Sequence, residues 1–207
     1  MTLDWLLAVT GFCFVTCFTP GPNNAMLMAS GLNYGVRRTV PHMLGVSFGF
    51  PVMVFCVGLG IAQVFKAYPM LYLALKVVSI LYLLWLALQI ALADTVKTSS
   101  GGTKPLTFMQ AAAFQWVNPK AWIMAVGISA TYLVQGAFWT SLVVFSGIFL
   151  LAGLCSSSSW MLGGAGLKAV ISNRTVVRAI NIVLALLLVG SLWPVAKDLL
   201  DGSLPGL

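Results

Sequence analysis

Residues 18–24, with the sequence FTPGPNN, interrupt the first apolar segment of the chain, and residues 114–120, FQWVNPK, interrupt an apolar segment in its second half. Proline removes a hydrogen bond from a helix and clashes with the carbonyl four residues back, so soluble helices avoid it. Membrane helices that bind a solute use such breaks, because an unwound turn exposes backbone groups inside the bilayer. The matched breaks favour a solute site, with proline kinks in packed helices as the alternative.

The composition indicates an integral membrane protein. Hydrophobic residues make up 60% of the chain and charged residues only 7%, too few to cover the surface of a soluble domain. The net charge of +7 would suit a nucleic-acid partner, but most basic residues lie singly or in pairs between apolar runs. That placement is typical of topology signals, so we expect the lipid bilayer as a partner and no nucleic acid.

Six apolar segments are long enough to cross a bilayer, which takes roughly 20 helical residues each. We expect an all-α membrane protein whose first and fourth helices are broken by proline, with spans at about residues 5–30, 43–65, 69–93, 107–133, 138–164 and 178–196. Residues 98–103, TSSGGT, have the composition of a flexible linker. The sequence therefore predicts a three-helix repeat at 1–97, a cytoplasmic linker at 98–104 and an inverted second repeat at 105–207.

The basic residues orient the predicted bundle. Loops on the cytoplasmic side of a membrane carry an excess of lysine and arginine. With the N-terminus outside, only Lys66 and Lys197 face out, and the cytoplasmic side holds Arg37, Arg38, Lys97, Lys104, Lys168, Arg174 and Arg178. Both termini are therefore predicted to be outside the cell membrane.

The first break offers groups that suit a zwitterion. Its prolines leave the carbonyls of Thr16 and Phe18 without their usual amide donors, and these carbonyls suit an ammonium group. The amides where the helix restarts, near Asn23, suit a carboxylate. We expect substrate-binding residues here at Pro20, Gly21, Pro22, Asn23 and Asn24.

The second break repeats this pattern and adds a charge. Pro119 deprives the Gln115 carbonyl of its donor, and Asn118 occupies the position of a helix N-cap. Lys120 is a cation deep in an uncharged span, where charges are costly and usually functional, although it could also snorkel to the surface. The substrate-binding prediction here covers Gln115, Asn118, Pro119 and Lys120.

Coupling to protons is the least determined part of the mechanism. All four acids, at Asp4, Asp94, Asp198 and Asp201, lie at predicted span ends. His42, predicted at the cytoplasmic edge of the second span, is a coupling candidate or an ordinary interfacial histidine. Lys76 is expected to snorkel from the outer end of its helix.

Other polar and small residues have architectural explanations. Cys13, Cys17, Cys56 and Cys155 lie in apolar runs and are expected to be structural thiols. With one histidine and no glutamate, the sequence predicts neither a metal nor a cofactor. The pairs Gly31/Gly35 and Gly45/Gly49 permit close helix approach, and the run Ser156–Ser159 either bridges helices or lines a pathway.

Three motifs resemble the LysE/RhtB family of bacterial amino acid exporters: TPGPN at 19–23, GVRR at 35–38 and VNPK at 117–120. The segment 178–188, RAINIVLALLL, is most similar to the branch that exports cysteine and O-acetylserine. The resemblance implies an inner-membrane exporter, not an enzyme, driven by the proton gradient. The residues that match family motifs are Pro20, Gly21, Pro22, Asn23, Asn118, Pro119 and Lys120. Without an embedded acid, a small neutral cargo such as cysteine, O-acetylserine, homoserine, threonine or leucine fits better than lysine.

Two other classes stay open at this point. A thiol-disulfide electron carrier of the DsbD/CcdA type shares the predicted architecture, but it needs a cysteine in the first span of each half, and the fourth span has none. A passive channel or structural membrane subunit is the third class. A homo-oligomer is compatible with each of them.

Overall fold

The computed structural model describes residues 1–93, 104–171 and 173–200. Within these residues the chain is helical and contains no strand, which confirms the predicted all-α class. The helices are α1 (Leu3–Phe18), α2 (Pro22–Tyr34), α3 (Val36–Cys56), α4 (Ala62–Ala67), α5 (Pro69–Ala91), α6 (Phe108–Phe114), α7 (Pro119–Tyr132), α8 (Phe138–Val170), α9 (Arg174–Gly190) and α10 (Trp193–Leu200). The predicted linker at 98–104, apart from Lys104, lies outside the described residues.

Three helical segments are long and apolar enough to cross a membrane alone: Val36–Ile61, Met70–Ala91 and Gln135–Lys168. The pair α1 and α2, bent by 51°, adds a fourth if it is counted as one broken span. Helices α6 and α7 have 7 and 14 residues and α9 has 17, each below the roughly 20 that one straight span requires. The six-span inverted repeat therefore stays a prediction.

Both predicted breaks are present and have local causes. Helix α1 ends at Phe18, and α2 begins at Pro22, where a proline at the first helical position loses no hydrogen bond. Helix α6 passes into a short 3₁₀ turn, Gln115–Val117. Helix α7 then begins at Pro119, and the Asn118 side chain accepts the Lys120 backbone N–H at 3.1 Å, which confirms the predicted N-cap.

The predicted start of the second span was wrong. Helix α3 begins at Val36, well before residue 43, because Gly35 adopts a φ of +78° and turns the chain sharply between two helices. His42 consequently lies in the second turn of α3 and is only 1% exposed. Lys76 also departs from the prediction: it is 6% exposed, with its ammonium 4.9 Å from the centre of the Tyr72 ring, so it does not snorkel.

Glycines let the helices approach closely. A Cβ on Gly31 would collide with the Met161 carbonyl of α8, and one on Gly45 with the Phe108 carbonyl of α6. A Cβ on Gly49 would lie 2.6 Å from Ala112 Cα. The predicted close approach is confirmed at these positions, whereas Gly35 serves the turn instead.

Helices from the two predicted halves pack on one another. Helix α8 contacts α1, α2 and α3, and α9 contacts α5. The largest core cluster lies around Phe145 and Phe149 of α8, with Phe50 of α3 and Trp122 of α7. This packing brings the breaks of the first and fourth predicted spans to the same part of the molecule.

Candidate functional site

Lys120 joins the two breaks. Its ammonium donates to the Thr19 carbonyl and to the Thr19 hydroxyl, both at 2.8 Å, and to the Pro20 carbonyl at 3.2 Å. Thr19 and Pro20 are exposed on the helix bundle, and Lys120 is half-buried. Gly21 makes the approach possible, since a Cβ there would lie 2.7 Å from Lys120 Cδ and 3.0 Å from Nζ. The lysine ammonium is thus held by three oxygens of the first break.

A pair of amides forms the second link between the breaks. Asn23 Nδ2 donates to Gln115 Oε1 at 2.8 Å, and Gln115 Nε2 returns a bond to Asn23 Oδ1 at 3.2 Å. Gln115 Nε2 also donates to the Ala111 carbonyl at 2.9 Å, and its side chain is fully buried. The reciprocal bonds tie α2 to the 3₁₀ turn before α7.

Hydrogen bonds within the protein already satisfy several carbonyls at the two breaks. The Thr19 hydroxyl donates to the Thr16 carbonyl at 2.8 Å. Asn24 Nδ2 donates to the Cys17 and Thr19 carbonyls at 2.8 and 2.9 Å, and Ser156 adds a bond to Cys17 at 2.7 Å. In the second break, the Gln115 carbonyl accepts the Asn118 N–H at 3.2 Å. A cargo ammonium would therefore have to replace protein donors at the break.

A cavity that is partly open to its surroundings lies between the breaks, α3 and α8, and its empty volume of about 470 Å³ includes the open part. Of the predicted residues, the cavity is lined by Gly21, Asn23, Asn24, Asn118 and Lys120. Pro20, Pro22 and Gln115 instead shape the breaks and the amide pair, and Pro119 lines a second cavity.

Part of the wall was not predicted as site residues. Ser47 and Phe50 of α3 and Phe149 of α8 line the cavity, and no local sequence signal distinguishes them from ordinary core. The serine run did provide a signal: Ser156 and Ser157 line the cavity, and Ser156 also bonds to α1. The bridging role therefore occurs, and a place on the transport pathway stays a prediction.

His42 lies apart from the cavity wall, between α2 and α3. Its Nδ1 is 3.1 Å from the Ser30 hydroxyl. Its Nε2 is buried and has no hydrogen-bond partner in the part of the chain that the structure describes. The structure does not bring His42 together with the other predicted residues.

A second polar cluster, which the sequence did not predict, joins α2, α8 and α9. Asn33 and Asn181 exchange amide bonds at 3.0 and 3.1 Å, and Asn181 also donates to the Ala93 carbonyl at 3.3 Å. Lys168 donates to the Asn33 carbonyl at 3.0 Å. We call these four residues the Asn33 cluster.

Most of the chain matches a known protein family. The family model of LysE type translocators matches residues 14–191. The chain belongs to the LysE family of translocators. The predicted resemblance is confirmed, and this LysE translocator is a multi-pass membrane transporter and not an enzyme.

Several relatives of this LysE translocator are named cysteine/O-acetylserine efflux proteins. Those of Escherichia coli strain K12, Escherichia coli O1:K1 and Shigella sonnei are each 32% identical to it over 191 residues. Each alignment covers 91% of this chain and 96% of the relative. No solved structure shows significant similarity. The four cysteines are free thiols. Because the chain belongs to a translocator family, the alternative function of a thiol-disulfide electron carrier is set aside.

Proposed function

We propose that this LysE translocator exports a small neutral amino acid or derivative across the bacterial inner membrane by proton antiport. Cysteine and O-acetylserine are the first candidates, because the relatives described above are named for their efflux. Homoserine, threonine and leucine are further candidates. The observation that carries the proposal is the cavity between two broken helices, with the ammonium of Lys120 on its wall.

The charge of the cavity wall favours a neutral cargo. Lys120 is the charged residue on its described wall, and it suits a carboxylate. No described wall residue is acidic, so the cationic side chain of lysine would find no counter-charge there.

Binding would exchange the partners of Lys120. A carboxylate is a stronger acceptor for an ammonium than a neutral carbonyl, because both groups are charged. When Lys120 turns to the cargo carboxylate, the carbonyls of Thr19 and Pro20 lose a donor. The cargo ammonium can replace that donor, so one zwitterion satisfies both groups. This exchange releases a bond between the two breaks and allows the broken helices to move.

The architecture we propose has six spans in two inverted halves, 1–97 and 105–207. In this scheme α6 and α7 together form the fourth span, broken like the first, and α9 forms the sixth. The excess of positive charges on the predicted cytoplasmic loops supports a periplasmic location for both termini. Inverted halves whose broken helices meet at the bilayer midplane are a recurring arrangement of secondary transporters. This LysE translocator is compatible with a homo-oligomer, which cross-linking in membranes would test.

His42 is our candidate for proton coupling. It is a buried group that can gain a proton, and a charge on it would cost free energy between α2 and α3 unless the helices moved. Asp4, by contrast, is exposed at the start of α1. Proton binding at His42 and cargo binding at Lys120 would then both act on α2, through Ser30 and through the break.

The test of the function is efflux from bacteria that express the chain and are loaded with one compound at a time. The panel contains cysteine, O-acetylserine, homoserine, threonine, leucine and lysine. We expect selective export of a neutral compound, abolished by Lys120→Ala with unchanged membrane insertion. The exposed Lys197 supplies the matched control, since Lys197→Ala should export normally.

Three results would contradict the proposal. Export by Lys120→Ala at the wild-type rate would show that this lysine does not bind cargo. Export that only runs down a concentration gradient and ignores an uncoupler would indicate a passive channel instead of an antiporter. If every compound accumulated outside to the same level in cells that express the chain and in cells with the empty vector, no compound of this panel would be the cargo.

A further inference from the structure

A second cavity, with about 410 Å³ of empty space, lies between α5, α7 and α10. Its wall includes Tyr72, Leu75, Lys76 and Ser79 of α5, and Pro119, Trp122 and Ile123 of α7. The two cavities lie on opposite faces of the start of α7. Asn118, Lys120, Ala121 and Met124 face the first, and the residues between them face the second. Helix α7 itself therefore separates the two spaces.

Lys76 gives the second cavity a positive charge. It is 6% exposed, and its ammonium is 4.9 Å from the centre of the Tyr72 ring. A cation inside a membrane span is costly and is usually found on the path of an ion or substrate. The Ser79 hydroxyl lies on the same wall and donates to the Leu75 carbonyl at 2.6 Å, which leaves its oxygen able to accept from an ammonium. The wall thus offers partners for both ends of an amino acid.

The position of this cavity suits the exit side. Helix α5 begins, and α7 ends, on the outer side in the orientation proposed above. The first half of α5 contains Tyr72, Lys76 and Ser79. Val195 of α10, near the C-terminus that we propose to be outside, also lines the cavity. The first cavity lies at the helix breaks, on the opposite face of the same turns of α7. A cargo that passes the start of α7 on its way out would enter the second cavity.

We propose that the second cavity is an exit site that takes the carboxylate of the cargo from Lys120 onto Lys76. The proposal rests on the export function proposed above and adds a second binding step to it. The cations on the two sides of α7 would give the carboxylate a positive partner both before and after it passes this helix. A purely structural Lys76, held against Tyr72, predicts no such step.

The test uses charged thiol reagents on a variant without the four native cysteines, reconstituted in vesicles of phosphatidylcholine, which carries no net charge. Leu75→Cys places a thiol beside Lys76 on the cavity wall, and Ile123→Cys, at the rim, is a second probe. We expect an anionic methanethiosulfonate added at the outer face to label the Leu75→Cys variant about tenfold faster than a cationic one, because a buried cation concentrates anions. Adding Lys76→Gln should remove this preference, and Lys76→Arg should keep it.

Gly136→Cys is the control for labelling from the outer face. Gly136 is exposed, and an added Cβ there meets no atom within 4 Å. The thiol of this variant should react with both reagents at similar rates, whatever residue occupies position 76. A cargo that the unlabelled protein exports should protect the thiol at position 75 and leave the thiol at position 136 reactive.

Three outcomes would overturn the exit site: no labelling of either probe from the outer face, equal rates for both reagents, or labelling that exported cargo does not slow. These outcomes can be told apart from failure of the proposed function. That function fails when no panel compound is exported by the wild-type protein, which the efflux assay measures separately. The difference between the two labelling rates of the thiol at position 75 can be measured without any cargo.

Discussion

At Gly21, the addition of one methyl group should be enough to displace Lys120 from the site. An added Cβ would lie 2.7 Å from Lys120 Cδ, so the lysine side chain would have to shift away from the break. Because hydrogen bonds to charged groups contribute about 1.5–3 kcal/mol, we expect Gly21→Ala to lower efflux by about tenfold. The backbone at Gly21 is extended, so the substitution itself causes no backbone strain.

Gly11 in α1 is the matched control for this prediction. A Cβ at Gly11 meets no atom within 4 Å, so Gly11→Ala should export at the wild-type rate. Initial efflux rates, normalised to the amount of protein in the membrane, measure both variants. Equal rates for Gly21→Ala and Gly11→Ala would show that the contact between Gly21 and Lys120 is unimportant.

His42 allows a prediction about coupling. His42→Gln keeps a polar side chain beside Ser30 but cannot gain a proton at neutral pH. We expect this variant to lose accumulation against a gradient and to retain exchange of cargo between equal concentrations, since exchange needs no net proton movement. The volume-conserving change Met43→Leu, at the next residue, should affect neither measurement. Uphill efflux by His42→Gln that an uncoupler abolishes would assign coupling to another group.

At the scale of helices, the amide pair Asn23–Gln115 should couple α2 to the start of α7. Hydrogen bonds between membrane helices contribute about 0.6 kcal/mol on average and at most about 1.7 kcal/mol. We expect a coupling energy in this range from a double-mutant cycle with Asn23→Ala and Gln115→Ala. The cycle compares the free energy of unfolding in detergent of the wild type, the two single variants and the double variant. Strict additivity of the two losses would mean that the observed bonds do not stabilise the protein.

The helix breaks were predictable because their causes are local. Proline, glycine and an N-cap asparagine act on their own backbone, so FTPGPNN and FQWVNPK identified both breaks and the N-cap at Asn118. The start of α3 was missed because apolar periodicity fades before His42, whereas the actual boundary depends on the turn at Gly35. A polar stretch at a helix end, such as Arg37 and Arg38, lowers hydropathy without ending the helix.

Contacts between distant segments could not be predicted from one sequence. The bond from Lys120 to Thr19 joins residues 101 positions apart, and the Asn33–Asn181 bond joins residues 148 apart. The sequence identified Lys120 as a costly charge but could not show which oxygens it contacts. It gave no sign that Phe50 and Phe149 line a cavity, because their pattern is that of ordinary core residues.

For the whole molecule, the positive charges lead to a prediction about orientation. We expect both termini in the periplasm, so an alkaline phosphatase fused after residue 207 should be active, since this reporter works only outside the cytoplasm. The same enzyme fused at Lys104, on the predicted cytoplasmic side, should be inactive. An active fusion at Lys104 with an inactive one at the C-terminus would reverse the orientation and, with it, the direction assigned to the exit site.

The Asn33 cluster is relevant to the leakage of amino acids from the cell through a transporter that is not exporting. In the proposed orientation these bonds lie toward the cytoplasmic side, where cargo must enter, and they join the ends of α2, α5 and α8 to Asn181 in the middle of α9. Amino acids are costly products of metabolism, and a pore open to the cytoplasm would drain them continuously. If this cluster has to break before each cargo molecule enters, leakage is slow at ordinary concentrations. Export would then become appreciable only when the metabolite accumulates, and the protein would act mainly against overproduction.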